Sequence, residues 1–210
     1  MPNTNRTDII LLIDRSGSMD RIKMAMEEGI DKFLSDQAES PAPCYVSVFK
    51  FDDTHEIIHD MVDIHTNPRV FIRPRGNTAL IDSMYWAIKH MVARFATIPE
   101  PEKPGKIIFV CVTDGEDNAS HLHTQRELKA LVEERTTEDK WEFVYLGANQ
   151  DAFKVSGGLG VGYASTMSYA ATAAGVSAVT ASLSASTTAY RSGVASHVVL
   201  NKEDKKDKTA

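Results

Sequence analysis

Cysteine is scarce in this chain, with two residues in 210, which excludes a disulfide-stapled scaffold. Long apolar runs are missing as well. The first one, Ile9-Ile10-Leu11-Leu12-Ile13, stops at Asp14 and follows the polar stretch Met1–Asp8, so it is too short for a membrane span or the core of a signal peptide. Positive charge is not in excess. With 23 basic and 29 acidic side chains the net charge is −6, which argues against nonspecific nucleic-acid binding. A Gly-x-x-x-x-Gly-Lys phosphate loop and a Gly-x-Ser-x-Gly nucleophile elbow are both absent, removing the commonest signatures of nucleotide hydrolysis and acyl transfer. The expectation is a protein with no membrane association, in the cytoplasm of the producing cell or of a phage host.

What is present is ordinary for a globular domain: 42% hydrophobic and 25% charged residues, in a length that suits one domain. The run Ile9–Ile13 reads as a strand buried on both faces. Behind it Met19, Ile22, Met26, Ile30 and Phe33 recur at helical spacing, to a helix end near Gln37 ahead of Ser40-Pro41-Ala42-Pro43. Residues 44–51 and 55–64 read as a hairpin whose second, more polar strand lies at an edge. Ile81, Met84, Ile88, Met91 and Phe95 mark a second helix. Lys106–Val112 is another buried strand, Thr124-x-x-Glu127 a capping box, and Trp141–Leu146 a further strand. Strands alternating with amphipathic helices predict an α/β doubly wound sheet, mostly parallel, with one antiparallel edge strand and helices on both faces.

The first strand runs into Asp14-Arg15-Ser16-Gly17-Ser18, one carboxylate and two hydroxyls at a strand's carboxyl end. Hard oxygen donors suit Mg²⁺ or Mn²⁺, although the bare pattern also describes a helix cap. Thr78 opens the second helix, and Val112-Thr113-Asp114 ends a second buried strand in an aspartate. In this order and spacing the residues resemble the von Willebrand factor type A (VWA) domain, whose metal-ion-dependent adhesion site (MIDAS) is built from Asp-x-Ser-x-Ser, a distant Thr and a later Asp. The resemblance covers roughly residues 8–150 well and 151–195 loosely. It implies Asp14, Ser16, Ser18, Thr78 and Asp114 as metal ligands, with Ser16, Ser18 and Thr78 direct and the aspartates direct or through water. It also implies an open position filled by a partner protein's Asp or Glu.

Arg15, Arg73 and Arg75, with Arg21, belong to loops or a helix start on the same face, and are read as steering an acidic partner toward the metal. In the VWA strand order one strand separates Cys44 from Cys111, about 9–10 Å, beyond disulfide reach. His55, His59 and His65, and His121 with His123, lack zinc-ligand geometry and read as surface histidines. Asn118-Ala119-Ser120 has the form of a glycosylation sequon without a secretory signal. Asn149, Gln150 and Asp151 either flank the metal face or cap the next helix.

Residues 156–192 are rich in Ala, Ser and Thr. Because Val176, Val179, Leu183 and Tyr190 keep helical spacing, a closing helix is expected there. The domain is expected to span residues 1–195, followed by a charged, flexible tail at 196–210. The function implied is a non-enzymatic, Mg²⁺-dependent protein-binding module resembling small stand-alone bacterial or phage VWA proteins. The alternative is an adaptor or regulator of a MoxR-like AAA+ ATPase or of a stress-response complex. A metal-dependent hydrolase would need a base that the sequence does not offer.

Overall fold

The computed structural model describes residues 2–148 and 151–200. Strands β1 (Asn3–Asp14), β2 (Cys44–Phe51), β3 (His55–Asp63), β4 (Pro104–Thr113), β5 (Glu142–Ala148) and β6 (Thr166–Tyr169) form one sheet in the order β3-β2-β1-β4-β5-β6. All pairings are parallel except β2 with β3. Helices α1 (Lys23–Ala38), α2 (Leu80–Ala96), α3 (Gln125–Glu138), α4 (Ala152–Gly158) and α5 (Ala173–Arg191) complete the main elements.

The apolar run of β1 splits by parity, as a strand's alternating side chains require. Ile9, Leu11 and Ile13 face a core built with α1 and α5. Ile10 and Leu12 face a second core with α2 and α3. Because both layers are closed, polarity does not alternate along β1, and the continuous apolar run follows. All five residues of the first helical stripe are buried, although Met19 and Ile22 belong to a 3₁₀ turn, Gly17–Ile22, that precedes α1. Cys44 and Cys111 sit on strands separated by β1 and belong to opposite cores. Both are buried and free, which agrees with the disulfide being out of reach.

The expected closing helix exists as α5, with Val176, Val179, Leu183 and Tyr190 buried. It approaches α1 so closely that a Cβ on Gly29 would lie 2.9 Å from Thr180 Cγ2. The same Ala/Ser/Thr-rich segment also supplies the end of α4 and the whole of β6, which the sequence reading did not separate from the helix. Thr-Met-Ser-Tyr alternates polar and apolar, with Met167 and Tyr169 in the core, but four residues are too few for the alternation to stand out from the surrounding segment, and its pairing with β5 defines it. Packing also continues past the expected domain end at 195. Val198 and Leu200 are fully buried, and the Val198 N–H donates to Glu142 Oε2. Residues 201–210 of the expected tail lie outside the described residues. Among the described residues, no helix is long and apolar enough to cross a membrane.

Candidate metal centre

Parallel register brings the first two carriers of the site together. Ile13 pairs with Val112, so Asp14 and Thr113 leave the sheet side by side, and the Thr113 hydroxyl donates to Asp14 Oδ2 at 2.6 Å. The other oxygen of Asp14 accepts from the Ser16 N–H at 2.6 Å. Ser16 stands at the N-cap position of the 3₁₀ turn, yet no side-chain cap is made. Its hydroxyl lies 3.1 Å from that of Ser18, and Ser18 Oγ donates to Asp114 Oδ1 at 2.6 Å. The hydroxyls of Asp-x-Ser-x-Ser are therefore directed at one another and at Asp114, not spent on capping.

Thr78 completes the cluster from the far side. A Cβ placed on Gly115 would meet Thr78 Oγ1 at 3.3 Å and Ser18 Oγ at 4.0 Å, so the two hydroxyls flank a notch that glycine leaves open. Asp14, Ser16, Thr78 and Asp114 are buried while Ser18 is exposed, so the cluster meets solvent at Ser18. Burial pushes the Asp14 carboxyl up to about 6; hydrogen bonds from Thr113 and Ser16 oppose this and the charge of Asp114 adds to it. Buried Tyr169, whose hydroxyl donates to the Thr113 carbonyl at 3.4 Å, is pushed up by its own burial and then by Asp114 and Asp14. Two enclosed carboxylates sharing a neighbourhood create a demand for cation, and hydroxyl and carboxylate oxygens are the donors that Mg²⁺ or Mn²⁺ accepts. The residues present fit such an ion.

Two scaffolds hold these groups. On one side Arg15, the residue between Asp14 and Ser16, is buried, and its Nε donates to Asp52 Oδ2 at 2.9 Å while Nη1 meets Glu56. Arg75 Nε reaches the same Asp52 oxygen at 2.6 Å, and the Arg75 N–H donates to the Arg15 carbonyl at 2.8 Å. Asp52 is pulled up by burial but held at about 2 by its bonds from Arg75 and Thr54 and by the charge of Arg15. Gly76 adopts φ +67°, and a Cβ there would lie 2.2 Å from Asp53 Oδ2, so the Gly17 N–H to Gly76 carbonyl contact depends on glycine.

On the other side the segment after β4 wraps the start of α2. Asn118 Oδ1 accepts from the Thr78 N–H at 2.8 Å, and the Thr78 carbonyl accepts from the Asn118 and Ala119 N–H groups. Asp117 and Ser120 cap the N–H groups of Ile81 and Asp82. Asp82 in return accepts from the backbone N–H groups of His121, Leu122 and His123.

These placements revise part of the sequence reading. Arg15 does not face solvent, so it is a strut and not a steering charge. Arg73 and Arg75 are exposed, although Arg75 is shared with Asp52. The sequon-like triplet is structural, with both Asn118 and Ser120 bonded to the start of α2. Asp151 caps α4 by accepting from the Lys154 N–H, while Asn149 and Gln150 lie outside the described residues. The histidines are engaged elsewhere: His55 stacks on Trp86 and His123 on Tyr85, His59 meets the Arg69 carbonyl, and His65 meets Asp63. Among the described residues no group of three or more His, Cys, Asp and Glu could hold a metal; the cluster at Asp14 relies on hydroxyls instead.

A doubly wound sheet with a hydroxyl and carboxylate cluster at its carboxyl edge belongs to the class of open α/β domains that bind ligands beyond the ends of their strands. Within that class, this chain has the VWA fold. It is similar to proximal thread matrix protein 1 of the mussel byssus, solved with a zinc-occupied MIDAS motif, at 15% identity and TM-score 0.61 over 86% of this chain and 45% of that one. It is similar also to a von Willebrand factor type A protein from Catenulispora acidiphila (16% identity, TM-score 0.60, 88% and 42% covered). A third likeness is to the ArnB paralog VWA2 of Sulfolobus acidocaldarius (11%, TM-score 0.54, 86% and 45%). The chain spans less than half the length of these structures. No protein-family model and no curated protein sequence matches it.

Proposed function

We propose that this chain is a divalent-cation-dependent protein-binding module. Ser16, Ser18 and Thr78 would hold Mg²⁺ directly, Asp14 and Asp114 directly or through water, and a partner's Asp or Glu would fill the open position. Once bound, the cation supplies an electrophilic centre that a carboxylate recognises. The observation that carries this reading is the convergence of uncapped hydroxyls and enclosed carboxylates from segments 96 residues apart in sequence, as in the Ser18 to Asp114 bond. Zinc occupies the motif of the mussel protein, but the all-oxygen donor set here favours Mg²⁺ or Mn²⁺ over Zn²⁺. The serine hydroxyls bond each other and Asp114 rather than a histidine base, which favours binding over nucleophilic catalysis. Exposed Arg73 and Arg75 lie on the loop leading to Thr78, where they would steer an acidic segment.

Titration calorimetry and melting curves test the reading. Mg²⁺ at about 100 times its Kd is expected to add about 2.7 kcal/mol to the wild type and nothing to a folded Asp14→Ala variant. A partner retained from lysate by wild type in Mg²⁺, but lost in EDTA and with Asp14→Ala, would extend the result to recognition. Equal stability with and without Mg²⁺ would overturn the proposal.

A further inference from the structure

The carboxylate cluster has a cationic side chain at its rim. The Asp114 side chain is fully enclosed, and while Oδ1 accepts from Ser18, Oδ2 faces Arg21 Nη2 at 3.4 Å. Asp14 is served by neutral donors, the Ser16 N–H and the Thr113 hydroxyl, so the charge set against this carboxylate pair is the guanidinium of Arg21. Arg21 differs from Arg15 in how it is held. Arg15 is buried between Asp52 and Glu56, whereas the Arg21 side chain is 53% exposed and makes one long contact from the outer rim of the 3₁₀ turn. The contact is long and its arginine end is half-exposed, so it is weak and can be released from the arginine side.

We propose that Arg21 is an exchangeable internal cation, one that neutralises Asp114 in the metal-free protein and must withdraw before a divalent ion can use that carboxylate. This rests on the metal-binding reading above. A guanidinium and a divalent ion competing for one enclosed carboxylate repel each other well within a Debye length. The long, flexible arginine stem lets the head retreat to water. Arg21 thus sets the cation concentration at which the site fills, trading metal affinity for a stable empty state.

Calorimetric Mg²⁺ titrations and EDTA melting curves of Arg21→Gln, alone and in an Asp114→Asn background, test this. Arg21→Gln is expected to bind Mg²⁺ about three- to fivefold more tightly, the worth of a half-exposed pair. It is also expected to melt about 1–3 °C lower than wild type in EDTA, with no further lowering in the Asp114→Asn background. If wild type binds Mg²⁺ and Arg21→Gln binds it equally well, the exchange is overturned and the metal site stands. If Arg21→Gln lowers the melting point equally in both backgrounds, the contact to Asp114 is not what it contributes, and the inference falls. If neither wild type nor Arg21→Gln binds Mg²⁺, both readings fall.

Discussion

The two sides of the metal cluster are built in different currencies. The side carrying Ser16 and Ser18 is pinned by buried charge, with Arg15 and Arg75 meeting on one oxygen of Asp52. The side carrying Thr78 is pinned by hydrogen bonds to backbone, from Asn118, Asp117 and Ser120 to α2 and from Asp82 back to residues 121–123. Charge pinning is stiff while both partners remain, and expensive when one is removed, because a buried charge is left uncompensated. Backbone pinning is spread over several bonds of modest worth, so losing one is tolerated. The motif loop is thus more brittle than the threonine loop.

The sharpest way to break this contrast is Asp52→Ala, which removes the buried partner of Arg15 and leaves it only the half-exposed Glu56. It is expected to cost about 3–5 kcal/mol in urea unfolding and to abolish Mg²⁺ binding in whatever folded fraction remains. A loss under 1 kcal/mol would show that the motif loop does not depend on charge. Acid is the next lever. The folded-state value of Asp52 lies below its unfolded one, so its contribution is full above about pH 4 and is lost as the pH falls toward 2. Unfolding followed over that interval should lose about 2 kcal/mol from this group, and the slope should flatten in Asp52→Asn. The Asp82 carboxyl is also lowered; burial works against this, and the His121, Leu122 and His123 N–H groups outweigh it. It adds a limb with the same sign. The smallest effect belongs to Asn118→Ala, which removes one cap from the Thr78 N–H. It should cost about 1 kcal/mol and weaken Mg²⁺ binding measurably while leaving the fold intact. A larger loss than that of Asp52→Ala would reverse the comparison.

The residues of the motif were legible because their chemistry is local. Asp14, Ser16 and Ser18 occupy one turn, and both Asp14 and Asp114 end runs of apolar residues that announce buried strands. The residues that hold them were not. Thr113 meets Asp14 across 99 positions and Asn118 meets Thr78 across 40, and neither has a sequence signature beyond a polar side chain near a strand end. Arg15 was misjudged for the same reason. A charge in a loop reads as solvated until Asp52, 37 residues away, is placed beside it. The mostly parallel sheet followed from doubly buried strands, whereas β6 escaped because its two core residues, Met167 and Tyr169, form an alternation only four residues long inside an Ala/Ser/Thr-rich segment.

The order of the sheet also bears on synthesis. The strand at its centre is the first to be made, and its partner β4 comes roughly a hundred residues later, Asp14 meeting Thr113 across 99 positions. At translation rates of about 5–20 residues per second, one edge of Ile9–Ile13 stays without its neighbour for about 5–20 s. A short, uncharged, β-prone apolar segment in that condition is a target for wrong pairing with other nascent chains. Its early neighbour β2 and the first amphipathic helix can cover only part of it. Yield of folded protein should therefore depend on chaperone capacity and translation speed more steeply than the finished domain's stability would suggest.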